Sequence, residues 1–137
     1  MIMKFMSRET SAILSSINLT YLEGIMKLLT VIIRPHTLDE VRENLIELGV
    51  GGITVSEVKG FGKQQGHTEL YRGAEYAVDF IPKIQLALAI PDELVNDCID
   101  VIIENTKTVK IGDGKIFITN LEVVIRIRTE ELGDQAL

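Results

Sequence analysis

Hydrophobic positions recur at two different spacings along the chain. Leu28-Leu29-Thr30-Val31-Ile32-Ile33 is an apolar, largely β-branched run that stops at Arg34-Pro35, the signature of a strand. Thr37 follows as a helix N-cap, with Glu40 three residues on to complete a capping box. Leu38, Val41, Leu45 and Leu48 then fall at helical spacing up to Gly49, a suitable C-cap. A second strand is predicted from Gly52 to Gly60, with Ile53, Val55 and Glu57 on one face and Thr54, Ser56 and Val58 on the other. A long polar segment with several glycines comes next, and Ala77 to Ile81 leads into a third strand, Ile84 to Ile90. Pro91, Asp92 and Glu93 open a second helix with acids in its first turn, and Leu94, Val95, Cys98, Val101, Ile102 and Ile103 form its core face. Ile116 to Thr119 and Val123 to Arg128 supply the last strand material, before an acidic tail, 129–137, expected to be mobile.

The order is β-α-β-β-α-β, which predicts an α+β ferredoxin-like sandwich. Its strands are apolar on both faces. Leu28 and Ile32 oppose Leu29, Val31 and Ile33; Ile84, Leu86, Leu88 and Ile90 oppose the small Ala87 and Ala89. Helices on one side would leave the other apolar face in water, at about 25 cal/mol per Å². Other subunits are expected to cover it, and the N-terminal residues are the alternative cover.

Composition narrows the partners. The chain has 137 residues, one domain's worth, with 46% hydrophobic residues and a formal net charge of −6. That charge argues against nucleic acid, so any anion site must be local. The single cysteine, Cys98, excludes an intrachain disulfide, fits a reducing, cytoplasmic setting, and reads as a small buried hydrophobe. No run reaches the roughly 18 apolar residues of a membrane helix, and no direct membrane insertion is expected. Residues 1–25 lack a clean leader pattern and precede a second start-like residue, Met26, where the domain is expected to begin; a real N-terminal arm is the other reading.

Two features carry candidate chemistry. In Lys110-Ile111-Gly112-Asp113-Gly114-Lys115, two glycines and flanking lysines could direct backbone N–H groups and charge at an anion, although a plain tight turn explains the spacing equally well. Arg126 and Arg128, two apart in a strand, would share a face and suit phosphate; a surface pair bridged to Glu130 or Glu131 is the alternative. His36 and His67 lack partners at ligand spacing, and no Ser/His/Asp arrangement appears.

The long segment is the most distinctive feature. Gly66-His67-Thr68-Glu69-Leu70-Tyr71-Arg72-Gly73-Ala74-Glu75-Tyr76 resembles the T-loop of the PII nitrogen-regulatory signal-transduction proteins. Thr54 to Gly62 is similar to that family's second strand, Lys110 to Phe117 to its B-loop, and Val124 to Thr129 to its last strand. Only residues 1–25 fall outside, leaving a domain at 26–137 with a T-loop at 62–80 and a B-loop at 107–115.

The resemblance implies a homotrimer with ATP or ADP bound in clefts between subunits. By position Ile32, Gly52, Ile53, Thr54, Ala89 and the stretch Gly60, Gly62, Lys63 and Gln64 would line the nucleotide. Gly112, Asp113, Gly114 and Lys115 would hold phosphates, with Arg126 and Arg128 from the neighbouring subunit's side. It further implies 2-oxoglutarate beside Mg-ATP, with Gln64 on the Mg2+ ion, Lys83 on a carboxylate, and Gly62, Gln65 and Gly66 in the enclosing backbone. Tyr76 matches the tyrosine uridylylated in many members, whereas Ala74 replaces the serine phosphorylated in cyanobacterial ones. Implied partners are an ammonium transporter, a uridylyltransferase or proteins regulating glutamine synthetase. Lys63 stands for a usual arginine, Gln65 for a common lysine, and Val109 and Glu130 for glycines of many members. The expected role is regulatory rather than enzymatic; a divergent regulator of another pathway and a slow ATPase using the same cleft are the alternatives.

Overall fold

The computed structural model describes residues 26–61, 68–71, 74–77 and 80–137. Four strands form an antiparallel sheet: β1 (Met26–Ile33), β2 (Thr54–Gly60), β5 (Ile81–Pro91) and β6 (Gly114–Leu121), in the order β2-β5-β1-β6. Two helices, α1 (Leu38–Glu47) and α2 (Asp92–Thr106), pack against it and each other. This is the expected ferredoxin-like sandwich. The two longest apolar strands, β1 and β5, pair in the centre with Ile33 opposite Ile84 and Leu29 opposite Leu88.

The alternation in sequence becomes the two faces of the sheet. Leu29, Val31, Ile33, Ile84, Leu86, Leu88 and Ile90 are buried beneath the helices with Val41, Leu45, Val95, Cys98, Ile99 and Ile102. On the opposite face Leu28, Ile32, Ala87 and Ala89 are only half-buried, and Phe117, opposite Thr30, is 50% exposed. Burial pushes the Cys98 thiol up to about 12, with Asp97 adding to the effect, so the thiolate is scarce at neutral pH.

Local chemistry departs from expectation at four places. The capping box does not form: Thr37 is already helical, within a 3-10 turn at Pro35–Thr37, and its hydroxyl donates to Arg34 O at 2.7 Å. Gly49 does end α1, at φ 94°, with Gly49 N–H on Ile46 O and Val50 N–H on Leu45 O, the paired bonds of a Schellman cap. Within the polar segment, read in the sequence as one long loop, β3 (Thr68–Tyr71) pairs antiparallel with β4 (Ala74–Ala77). Residues 123–128 form no strand beyond an isolated bridge, Ile125 to Leu132. The tail, expected to be mobile, carries local structure: Arg126 Nη2 donates to Leu137 O at 2.9 Å, and a 3-10 turn spans Gly133–Ala136.

One buried charge was missed in the hydrophobic pattern. Lys27 lies on the core face, 1% exposed, and its ammonium meets Asp92 at 2.6 Å. It ties the start of β1 to the first turn of α2, where a buried cation needs an anionic partner. No helix among the described residues is long and apolar enough to cross a membrane.

Candidate functional site

The loop between α2 and β6 is built around two glycines. Gly112 and Gly114 have φ values of 104° and 119°, a region other residues avoid. Gly114 also has no room for a side chain, since a Cβ there would lie 1.8 Å from Ile32 O. Ladder pairing of Ile33 with Gly114 and Ile32 with Lys115 holds the loop against the end of β1.

Two cations brace it. Arg34, one residue past β1, pairs with Asp113 and donates from Nη2 to Ile111 O at 2.8 Å. The Asp113 carboxylate also accepts the Thr108 N–H at 2.6 Å and the Thr108 hydroxyl at 2.5 Å. Partial desolvation alone would raise the Asp113 pKa; the Thr108 hydrogen bonds and Arg34 outweigh it and hold the carboxyl below its ordinary value. From β5, Lys83 Nζ donates to Gly112 O at 2.5 Å. Its stem passes Gly60, where a Cβ would sit 3.2 Å from Lys83 Cγ, so a glycine keeps this approach open.

Together these elements enclose a hollow of about 590 Å³, lined by Ile32, Gly60, Phe61, Ile81, Lys83, Lys110, Ile111, Gly112, Asp113, Gly114, Lys115 and Phe117. Its walls are apolar and its polar groups mostly cationic, in a chain that is acidic overall. No histidine, cysteine or serine is among the described residues lining it, so the chemistry on offer is anion binding beside an apolar surface. Phe61 and Phe80 meet at the edge, ring centroids 6.1 Å apart.

Ile32, Gly60, Lys83 and Gly112 to Lys115 thus line one hollow. Gly52, Ile53, Thr54, Ala89, Arg126 and Arg128 do not join them. Thr54 lies opposite Ala87 and Leu28 opposite Ala89, toward the other end of the sheet. Arg126 is turned to Glu131 at 3.4 Å and to Leu137 O, as the bridged-pair reading had it, and Arg128 is exposed. Without a strand at 123–128, the two arginines lose the shared face predicted for them. Gly62, Lys63, Gln64, Gln65 and Gly66 lie outside the described residues; Tyr76 stands in β4 opposite Glu69. Among the described residues no group of His, Cys, Asp and Glu is placed to hold a metal ion. Arg34 and Thr108 were missed in the sequence; only their positions beside the strand end and the glycine loop hinted at them.

Comparison with known proteins decides the family. Residues 26–131 match the family model described as nitrogen regulatory protein P-II. The chain belongs to the P-II family. It is 56% identical over 112 residues to the nitrogen regulatory protein P-II of Haemophilus influenzae, covering 82% of this chain and all of that one. It is 57% identical over 112 residues to nitrogen regulatory protein P-II 1 of Escherichia coli K12, with the same coverage. The crystal structure of Arabidopsis thaliana PII bound to citrate superposes with a TM-score of 0.67 at 32% identity, covering 83% of this chain and 94% of that one. The P-II match accounts for the fold and assigns a regulatory role in nitrogen metabolism, and the 25 residues before Met26 lie outside the family match.

Proposed function

We propose that this P-II chain is a cytoplasmic, non-enzymatic sensor of ATP or ADP and 2-oxoglutarate, acting as a homotrimer whose T-loop contacts targets such as an ammonium transporter. The observation that carries this reading is the division of the expected binding residues into two groups. One group, Gly60, Lys83 and Gly112 to Lys115, lines the hollow. The other, Gly52 to Thr54 and Ala89, lies toward the opposite end of the sheet. Thr54 and Gly60 are six residues apart along β2, about 20 Å at strand rise. Arg126 joins the second group through Leu137, whose carbonyl carbon lies 3.6 Å from where a Cβ on Gly51 would be. Two half-sites at different places on one chain make a whole site when copies meet head to tail around a closed ring. The half-exposed apolar face, with its small alanines, favours such an assembly.

The hollow suits one half of a nucleoside polyphosphate site, with lysines and a glycine loop for phosphates and apolar walls beside them. Lys83 would take an effector carboxylate; its cationic Nζ at the hollow and a relative solved with citrate, itself a carboxylate, support this. Mg2+ would sit near Gln64, which is part of the family-matched segment. Tyr76, in β4, is the candidate for uridylylation.

Calorimetric titration of the full chain with Mg-ATP tests the reading, and absence of binding sinks it. Refolding Lys115→Ala subunits together with Arg126→Ala subunits then tests the shared cleft. Partial recovery of binding in the mixture is expected; no recovery places both residues in one subunit's site.

A further inference from the structure

We propose that Arg34 is a positioning residue of the candidate phosphate loop, which it shapes and neutralises through Asp113 and Thr108 rather than by touching the ligand. The inference rests on the nucleotide reading above and deepens it. Three loop groups engage the guanidinium: the Asp113 carboxylate, the Thr108 hydroxyl at 3.3 Å and the Ile111 carbonyl at 2.8 Å. The planar fork of arginine suits several acceptors at fixed angles, which a lysine ammonium cannot reproduce. Asp113 in turn closes the turn back onto Thr108 through the backbone N–H and the hydroxyl. The Thr108 hydroxyl is also the acceptor for the Lys110 N–H at 3.0 Å. Residues 108–113 are therefore drawn around one carboxylate, and Arg34 anchors that carboxylate to the end of β1.

The charge arithmetic points the same way. Asp113 is the one acidic side chain among the described residues lining the hollow, next to Lys83, Lys110 and Lys115. An unpaired carboxylate there would repel phosphate. Paired with Arg34, it shapes the backbone without presenting a net charge. Arg34 and Asp113 are 22% and 24% exposed, so both are partly withdrawn from water. Three of the five guanidinium N–H groups are thus engaged by the loop, which turns Arg34 toward the protein.

The test is a double-mutant cycle read by Mg-ATP calorimetry on the full chain. Arg34→Met and Asp113→Asn should each weaken binding about tenfold, and the double variant should also weaken it about tenfold, because both act through one contact. Arg34→Lys should recover part of the loss, to about threefold. Effects that multiply to roughly a hundredfold, or an Arg34→Met chain that binds like the parent, overturn the proposal. If Arg34→Met fails to fold, the cycle is run with Arg34→Lys. A parent chain that binds no Mg-ATP would sink the nucleotide reading alone. The clamp is then judged by the amide resonances of Thr108, Gly112 and Gly114: parallel shifts in Arg34→Lys and Asp113→Asn uphold it, and unmoved resonances overturn it.

Discussion

Lys83 Nζ donates to the carbonyl of Gly112 at 2.5 Å, joining the start of β5 to the glycine loop ahead of β6. Burial, and then the nearby Arg34 charge, lower the pKa of this ammonium, while Asp113 raises it. A cation held in an environment that disfavours its charge is primed to pair with an anion. Among the described residues its hydrogen bond is to a neutral carbonyl, that of Gly112. Replacing Lys83 with Met should reduce 2-oxoglutarate affinity, measured calorimetrically in the presence of Mg-ATP, by roughly tenfold or more, the scale of a charged hydrogen bond. Undiminished affinity would move the carboxylate site elsewhere.

Gly114→Ala should be among the costliest single changes. A left-handed backbone and a Cβ only 1.8 Å from Ile32 O allow no local adjustment without opening the β1–β6 ladder. A loss of about 2–4 kcal/mol is expected in urea unfolding. A variant within about 0.5 kcal/mol of the parent would show that the loop moves freely from β1.

Glu130 offers the opposite case. It adopts φ 60°, the one left-handed non-glycine among the described residues, in a turn where its N–H donates to Arg126 O at 2.8 Å. That conformation is strained for a residue with a Cβ. Glu130→Gly should relieve the strain and, after the added freedom of the unfolded chain, raise stability by up to about 1 kcal/mol in thermal or urea unfolding. A clear loss of stability would mean that the Glu130 side chain contributes more than its backbone costs.

The Asp113 carboxyl sets a pH limit. Its folded pKa lies below the ordinary value, so the stability it contributes is complete above that ordinary value and is lost only as pH falls through the folded one. The loop should therefore hold its shape through neutral and mildly acidic pH and loosen below about 4. Titration of the Asp113 side-chain carbon by NMR should give a midpoint below the ordinary aspartate value. An upward move is expected in Arg34→Met, and a midpoint at or above the ordinary value in the parent contradicts the clamp.

The fold was legible because its core strands are uniform in type. The alternation in Ile84 to Ile90 and the helical spacing from Leu38 to Leu48 each admit one reading, and both elements form. Lys27 escaped because a periodicity of apolar residues cannot register a lysine whose burial depends on Asp92, 65 positions away. The capping box failed because the Thr37 hydroxyl is drawn to Arg34 O by the Pro35 turn, a choice set by local geometry rather than residue type. At the site, the glycines of the 112–114 loop announced themselves. Asp113 lines the hollow, and its partners Thr108 and Arg34 were not legible, the latter being reached only through sheet register. Arg126 and Arg128 were placed side by side by a strand period that residues 123–128 do not adopt.

The central claim is that nucleotide and effector are sensed together at the root of the loop. A ligand signals only if its affinity differs between the states it selects. The most direct measurement is calorimetric titration of 2-oxoglutarate into the full chain with and without Mg-ATP. Heat of binding is predicted only when Mg-ATP is present; equal binding in its absence would contradict the account.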